Sequence, residues 1–96
     1  SLINKIPPLY GQDGKGSNAL AFVKLFTPDS NWSWYITELD PEEGLCFGLI
    51  CGSEKELGYF SLNEIEQIKG PMGLEVERDI LFQPTKLKNL GFDYGK

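Results

Sequence analysis

Strand-like segments between residues 26 and 60, separated by clear turns, constrain the fold of this 96-residue chain more than any other feature. Residues 31–39 alternate with a period of two, which predicts Trp32 and Trp34 on one face of a strand and Tyr35 on the other. Turn-forming Asp, Pro and Gly residues separate this segment from the next strand-like ones. The pattern therefore predicts an antiparallel meander with both tryptophans in its core.

The segments that flank the meander complete the predicted fold. Residues 19–27 alternate up to a Pro-Asp-Ser turn and predict another strand. Ser61 and Glu64 match a capping box, which predicts a helix from Ser61 to Lys69 with an apolar stripe towards the sheet. We expect an α+β fold: one domain over residues 1–96, with an antiparallel four- to five-stranded sheet (meander) and one helix packed on one face.

The two ends of the chain carry shorter patterns. The apolar run at residues 80–82 is a candidate strand, and residues 85–90 predict one helical turn that Gly91 ends. Residues 6–10 are expected to pack along an edge of the sheet. Residues 11–18 contain glycines at three positions, so a flexible connection is expected there.

The two cysteines, Cys46 and Cys51, lie in one strand-like segment, residues 45–51. Five residues at about 3.3 Å each put them roughly 16 Å apart and on opposite faces. A disulfide needs Cα atoms within about 7 Å, so we expect two reduced, buried thiols, as in a cytosolic protein. The amino end lacks the long apolar core of a secretory signal, and a cytoplasmic location is therefore predicted.

Negative charge is concentrated in one region of the chain. The net charge is -5, and residues 38–66 alone hold an excess of seven negative charges. The candidate acidic patch consists of Glu38, Asp40, Glu42 and Glu43. Its field repels phosphate, so no nucleic-acid binding is expected. The region is either a solvated surface or a binding surface for a basic protein partner.

The sequence contains no recognised catalytic set. The chain has no histidine, which excludes a Ser-His-Asp triad and His-metal coordination. Two cysteines do not complete a structural zinc site, and residues 11–17 lack the spacing of a phosphate-binding loop. We therefore predict no catalytic residue, no metal and no cofactor. The sequence also has no long apolar run that would indicate a membrane protein.

Aromatic and basic side chains define a second candidate surface. One helix covers only one face of a sheet, so some aromatic residues are expected on the other face or at its rim. The candidate binding residues are Lys24, Tyr35, Tyr59 and Arg78. Arg78 is the only arginine. A guanidinium is most often a structural clamp, but it also holds ligand carboxylates or phosphates.

A longer ordered pattern resembles a known family. It comprises Phe26-Thr27-Pro28-Asp29-Ser30, Trp32, Trp34-Tyr35, Asp40-Pro41-Glu42-Glu43-Gly44, Phe47-Gly48, Glu56-Leu57-Gly58-Tyr59-Phe60-Ser61-Leu62 and Glu77-Arg78-Asp79. From about Ile6 to Pro84, the chain is similar to the bacterial domain-of-unknown-function family twenty-nine fifty-eight. That resemblance implies a bacterial protein in the context of a mobile genetic element, and it implies no catalytic residues.

Three functions of different classes remain open on this sequence. The favoured one is a non-catalytic binding protein, a protein-interaction or accessory module of a mobile genetic element that uses the acidic surface or the aromatic face. The second is a small domain that binds an anionic ligand, held by Lys24 and Arg78 beside the two tyrosines. The third is an enzyme of unfamiliar type that uses carboxylates. The sequence leaves the identity of the partner and the oligomeric state open.

Overall fold

The computed structural model describes residues 5–92. Residues 1–4 and 93–96 lie outside this range. The prediction that the amino end is not a secretory signal rests partly on residues 1–4. The elements are β1 (Leu20–Ala21), β2 (Val23–Phe26), β3 (Ser33–Asp40), β4 (Leu45–Cys51), β5 (Lys55–Ser61), α1 (Leu62–Glu66), β6 (Glu77–Arg78) and β7 (Thr85–Lys86), with 3-10 helices at Gly16–Asn18 and Leu87–Leu90.

The main sheet has five antiparallel strands in the order β5-β4-β3-β2-β6. Strands β2 to β5 follow one another as the predicted meander. Strand β6 returns to the far edge of the sheet, where Arg78 pairs with Leu25. Strands β1 and β7 form a separate two-stranded sheet. The fold is therefore dominated by antiparallel sheet and contains little helix.

The two faces of the main sheet pack against different segments of the chain. Alternation along the strands sends Trp34, Ile36, Cys46 and Phe60 to one face, where Ile65 of α1 packs on them. We call this the tryptophan face. Its members are buried in one cluster, which forms the larger part of the core. Trp34 is only 5% exposed.

The opposite face, which we call the tyrosine face, carries Tyr35 and Leu57 around a central Leu49. Ala21 of β1 and Leu87 of the carboxy-terminal 3-10 helix cover them, and Leu49 and Leu87 are almost fully buried. The segments before β2 and after β6 therefore form the second layer of this face.

A β-bulge in β3 changes the alternation towards the end of that strand. Ile36 pairs with Gly48 and Glu38 pairs with Phe47, so Thr37 is the additional residue. A bulge leaves two residues of one strand opposite one residue of its neighbour and re-aims the side chains there. As a result Thr37 and Glu38 both line a cavity on the tyrosine face.

The predicted helix from Ser61 to Lys69 is wrong in length, because α1 covers only Leu62–Glu66. The capping box is also wrong, since the Ser61 side chain makes no cap hydrogen bond. Ser61 is instead the last residue of β5, with extended backbone, and the N–H of Leu62 donates to the carbonyl of Gly44 at 2.8 Å. Beyond the helix, Lys69 forms an isolated bridge with Glu75, which turns the chain back before β6.

Other local predictions also needed correction. The apolar run at residues 80–82 is not a strand, and Ile80 is 85% exposed, because the chain turns there after the short β6. Trp32 lies just before β3 and is 43% exposed, so only Trp34 belongs to the core. The strand predicted over residues 19–27 is interrupted at Phe22 and divides into β1 and β2.

Two further predictions are confirmed. Cys46 and Cys51 are free thiols on β4, with Cys46 buried and Cys51 partly buried. Residues 85–90 contain a 3-10 turn after the short β7, and Gly91 follows it with a φ of 85°. Within residues 5–92, no helix is long and apolar enough to cross a membrane.

Candidate functional site

A row of three neighbouring side chains crosses the tyrosine face. Glu38 of β3 pairs with Phe47 of β4, and Phe47 pairs with Tyr59 of β5. The rings of Phe47 and Tyr59 meet edge to face, with centroids 4.9 Å apart and planes at 60°. The register of the sheet therefore fixes a carboxylate and two aromatic rings side by side.

The amino-terminal segment closes this row from above, and Gln12 anchors it. The Gln12 side-chain amide donates to the carbonyls of Leu20 at 2.8 Å and Thr37 at 2.7 Å, and its oxygen accepts from the N–H of Leu20 at 2.7 Å. The N–H of Leu39 donates to the carbonyl of Pro7 at 2.9 Å. The expected flexible connection over residues 11–18 is therefore wrong at its start, where Gln12 is only 5% exposed.

The Glu38 carboxylate lies beneath this segment and is only 5% exposed. One of its oxygens accepts from the N–H of Tyr10 at 2.7 Å, and the other accepts from the N–H of Gln12 at 2.9 Å. Tyr10 has a φ of 69°, a conformation uncommon for a residue with a side chain, and the bond to Glu38 holds it there. In the part of the chain that the structure describes, no lysine or arginine pairs with Glu38.

Two tyrosines stand at the mouth of the cavity. Tyr10 is 67% and Tyr59 50% exposed. The neighbouring Tyr10 hydroxyl raises the pKa of the Tyr59 hydroxyl, and burial and the negative charges of Glu38 and Asp13 act in the same direction. Tyr59 therefore stays neutral at physiological pH.

These residues enclose what we call the tyrosine pocket, with a volume of about 170 Å³. It is lined by Tyr10, Gln12, Asp13, Gly14, Gly16, Ala19, Thr37, Glu38, Phe47, Leu57, Tyr59 and Leu87. Among residues 5–92, the lining contains two carboxylates and no lysine or arginine. Its remaining walls are mostly apolar or aromatic, so the pocket suits a small cationic group with an apolar stem.

A second cavity, of about 400 Å³, opens at the edge of the tryptophan face. We call it the tryptophan cavity. It is lined by Thr27, Ser30, Asn31, Trp32, Trp34, Ile68, Lys69, Gly70 and Pro71. The two cavities thus lie on opposite faces of one sheet, and they differ in charge.

The structure brings together only some of the predicted binding residues. The Lys24 ammonium lies 5.8 Å from the ring centroid of Tyr35, on the tyrosine face. Tyr59 lies on β5, at the edge of the sheet beyond β3 and β4, and belongs to the tyrosine pocket. Arg78 pairs with Leu25, whereas Lys24 pairs with Tyr35, so Arg78 and Lys24 face opposite sides of the sheet.

The predicted acidic patch is also divided. Glu38 is buried in the tyrosine pocket, whereas Glu42 and Glu43 are exposed in the turn after β3. The Asp40 carboxylate is hydrogen bonded within that turn and accepts from the N–H of Glu42 at 3.1 Å. Among residues 5–92, no group of three or more Cys, Asp or Glu side chains is arranged to hold a metal ion.

Sequence reasoning missed Tyr10, Gln12, Asp13 and Phe47, among other members of the pocket. The first two are far from Glu38 along the chain, and no local pattern shows that their backbone N–H groups bind its carboxylate. The bulge was missed as well, although the sequence carries a signal of it: the apolar residues Ile36 and Leu39 are three positions apart, which breaks the period of two. Glu38 lies between them, and a buried glutamate needs hydrogen-bond partners.

The fold and pocket define a small antiparallel-sheet protein with an acidic, aromatic-lined cavity. Residues 9–89 match the model of the family described as Protein of unknown function (DUF2958), and the chain belongs to that family. No curated protein and no solved structure matches the chain. The predicted family membership is thus confirmed, and it assigns no activity.

Proposed function

We propose that this protein is a non-catalytic binding module for a basic protein partner, which inserts one lysine side chain into the tyrosine pocket. The observation that carries the proposal is the buried Glu38 carboxylate at the base of a pocket whose described lining contains no basic residue. Buried charges are normally paired. A cation supplied by a partner is the chemical complement of the Glu38 carboxylate.

The size of the pocket favours a single side chain. Small-molecule sites usually measure about 300–1,000 Å³, so 170 Å³ is small for them. An apolar cavity of about 150 Å³ is large enough for benzene. A lysine side chain has five heavy atoms and fits a space of that size. Leu57, Leu87 and Phe47 would contact its methylene groups, while the ammonium group lies near the carboxylates.

Electrostatic attraction would supply the largest part of the specificity. Two unit charges 4 Å apart attract by about 4 kcal/mol at an effective dielectric constant of 20, before desolvation is subtracted. A tyrosine face adds roughly 0.5–1 kcal/mol for a cation at an exposed site. The charges of Asp13 and Glu38 and the faces of the rings therefore attract a cation together. The rings set the shape of the pocket.

The same geometry weakens the alternative of an anionic ligand held jointly by Lys24 and Arg78, because these side chains face opposite sides of the sheet. An anion in the tyrosine pocket would be repelled by Glu38 and Asp13. For the same reason we continue to expect no binding of nucleic acid.

The proposal is tested with a fluorescein-labelled peptide that contains four Gly-Lys repeats, by fluorescence anisotropy at low and at physiological salt. Asp13→Asn is compared with Glu42→Gln, because each removes one exposed negative charge and only Asp13 lines the pocket. We expect the Asp13 variant to weaken binding at least three times more than the Glu42 variant. Tyr59→Ala should weaken it as well, and acetylation of the lysines should abolish binding.

Equal losses in the Asp13 and Glu42 variants would contradict the proposal, because they would show a diffuse acidic surface instead of a pocket. Binding of the acetylated peptide with unchanged affinity would contradict it too. The thermal unfolding of each variant is measured alongside, so that a loss of folding is distinguished from a loss of binding.

We also propose that the protein works in the cytoplasm. The two cysteines are free, and one of them is buried without a partner in β4. Reduced thiols of this kind are typical of a reducing compartment. Fractionation of the native host, followed by detection of the protein in the soluble cytoplasmic fraction, tests this location.

A further inference from the structure

The tryptophan cavity contains a half-exposed indole ring that is held rigidly. The ring of Trp32 stacks on Trp34, with centroids 6.1 Å apart and planes at 28°. Its other neighbour is Gly52, where a Cβ atom would lie 2.4 Å from the ring. Packing on Trp34 and close approach to Gly52 therefore fix the orientation of Trp32. Such a ring is a preformed stacking surface.

The polar rim of this cavity is fixed as well. The hydroxyl of Thr27 is hydrogen bonded to the hydroxyl of Ser30 and accepts from the N–H of Trp32 at 3.2 Å. Behind this turn, a carboxylate oxygen of Asp29 accepts from the N–H of Met72 at 2.7 Å and ties the turn to the loop that follows α1. The rim therefore comes from two loops that are bound to each other.

The charge in the tryptophan cavity is opposite to that in the tyrosine pocket. In the part of the chain that the structure describes, Lys69 is the ionisable residue of its lining, and no carboxylate lines it. Asp29 is close, but one of its oxygens is bound to Met72 and the other is buried against Gly70. Glu75, which forms a backbone bridge with Lys69, is a competing carboxylate on the neighbouring segment.

We propose that the tryptophan cavity binds a small molecule that carries a planar ring and an anionic group. The ring stacks on Trp32, hydroxyl and amide groups of Ser30 and Asn31 bind its polar edge, and Lys69 attracts the anion. The volume of about 400 Å³ lies within the range of small-molecule sites. This inference is independent of the proposed function, because the two cavities lie on opposite faces of the sheet.

Intrinsic fluorescence tests the inference directly, because Trp32 and Trp34 are the only tryptophans in the chain and both line the cavity. The probes are adenosine 5′-monophosphate, adenosine, which keeps the ring and lacks the phosphate, and ribose 5-phosphate, which lacks the ring. We expect saturable quenching by the monophosphate, weaker binding of adenosine, and no quenching by ribose 5-phosphate.

Charge variants then locate the anion. Lys69→Gln should weaken binding of the monophosphate about two- to fivefold, the range for an exposed ion pair, and leave adenosine unchanged. Glu75→Gln should strengthen binding of the monophosphate. Lys86→Gln, which alters an exposed lysine of β7 outside the cavity, is the matched control and should change neither.

A Trp32→Ala variant that keeps its thermal stability should lose binding of the monophosphate, with Trp34 as the remaining reporter. The inference is overturned if none of the probes quenches saturably, or if ribose 5-phosphate binds as well as the monophosphate. Equal affinities for the monophosphate and adenosine that Lys69→Gln leaves unchanged would overturn it as well.

Discussion

The two faces of the sheet are built from the same strands and yet present opposite chemistry. On the tryptophan face, Trp34 and Ile36 pack under α1, and the described lining of the cavity at the edge holds Lys69 and no carboxylate. On the tyrosine face, the bulge in β3 adds Glu38 to an aromatic row, and the described lining of the pocket holds two acids and no base. Successive side chains of β3 point to opposite faces, so neighbouring residues of this strand lie in the two different environments.

This difference shows how a chain of 96 residues accommodates a buried charge. The tryptophan face carries most of the apolar core. The tyrosine face is covered by irregular segments whose free backbone N–H groups bind Glu38. A buried carboxylate is stable where such donors are available. The predictions that follow compare the two faces, from the largest effect to the smallest.

Replacing Trp34 by alanine should have the largest effect on stability. Trp34 is 5% exposed, and removing a buried aromatic ring costs on the order of 3–5 kcal/mol. Trp32→Ala is the control and should cost less than half as much, since Trp32 is 43% exposed. Chemical denaturation measures both. Equal costs would show that Trp32 also belongs to the core.

Gly48→Ala should be the next most damaging change. A Cβ atom at this position would lie 1.8 Å from the carbonyl oxygen of Tyr35 in the neighbouring strand, next to the bulge. Overpacking of this kind typically costs about 1–3 kcal/mol. Gly58, its partner on β5, is the matched control, because a Cβ atom there would meet the Ile50 side chain at 3.4 Å, an ordinary contact. Equal stabilities of the Gly48→Ala and Gly58→Ala variants would contradict the close approach of β3 and β4 at the bulge.

The two thiols should differ in reactivity by at least tenfold, in favour of Cys51. Burial raises the pKa of Cys46 to about 12, so roughly one molecule in 10,000 carries the thiolate at pH 8. Burial also raises the pKa of the Cys51 thiol, but the positive charges of Lys55 and Lys24 offset part of that rise. The Cys51 side chain is also partly exposed. Alkylation with iodoacetamide, mapped by mass spectrometry, measures both rates, which should rise with pH. Earlier modification of Cys46 would contradict its position in the core.

Ser61→Ala should have the smallest effect, below about 0.5 kcal/mol, because the Ser61 hydroxyl does not cap α1. Thr37→Val is the control, since the Thr37 hydroxyl is buried and donates to the carbonyl of Phe47 at 2.8 Å. It should cost about 1 kcal/mol. A larger loss of stability in Ser61→Ala than in Thr37→Val would contradict this and support the predicted capping box.

The sequence predicts the central sheet well and the site poorly, for one physical reason. Strands β3 and β4 follow from short-range alternation and turn residues, and β4 begins and ends at the predicted residues, Leu45–Cys51. The helix was predicted too long because Ser61 and Glu64 have the residue types of a cap, whereas Ser61 pairs with Leu45 in the sheet. Tertiary pairing overrides a local preference here.

The tyrosine pocket depends on contacts that no local pattern reports. Glu38 is bound by the N–H groups of residues 28 and 26 positions away, and only the three-residue spacing of Ile36 and Leu39 marks the bulge in β3. Candidate residues chosen by type, such as Lys24 and Arg78, lie on opposite faces. Which face a residue occupies at the sheet edge depends on the pairing of β6, which the sequence did not predict.

The most direct test of the central claim is a titration with n-butylammonium, which has the size and charge of a lysine side chain, followed by two-dimensional NMR. We predict saturable shifts of the backbone N–H signals of Tyr10 and Gln12, which donate to Glu38. The indole N–H signals of Trp32 and Trp34 should stay in place, and neutral n-butanol at the same concentration should leave all four unchanged. Shifts confined to the indole signals, equal shifts with butanol, or no saturable shift at Tyr10 and Gln12 would contradict a cation site in the tyrosine pocket.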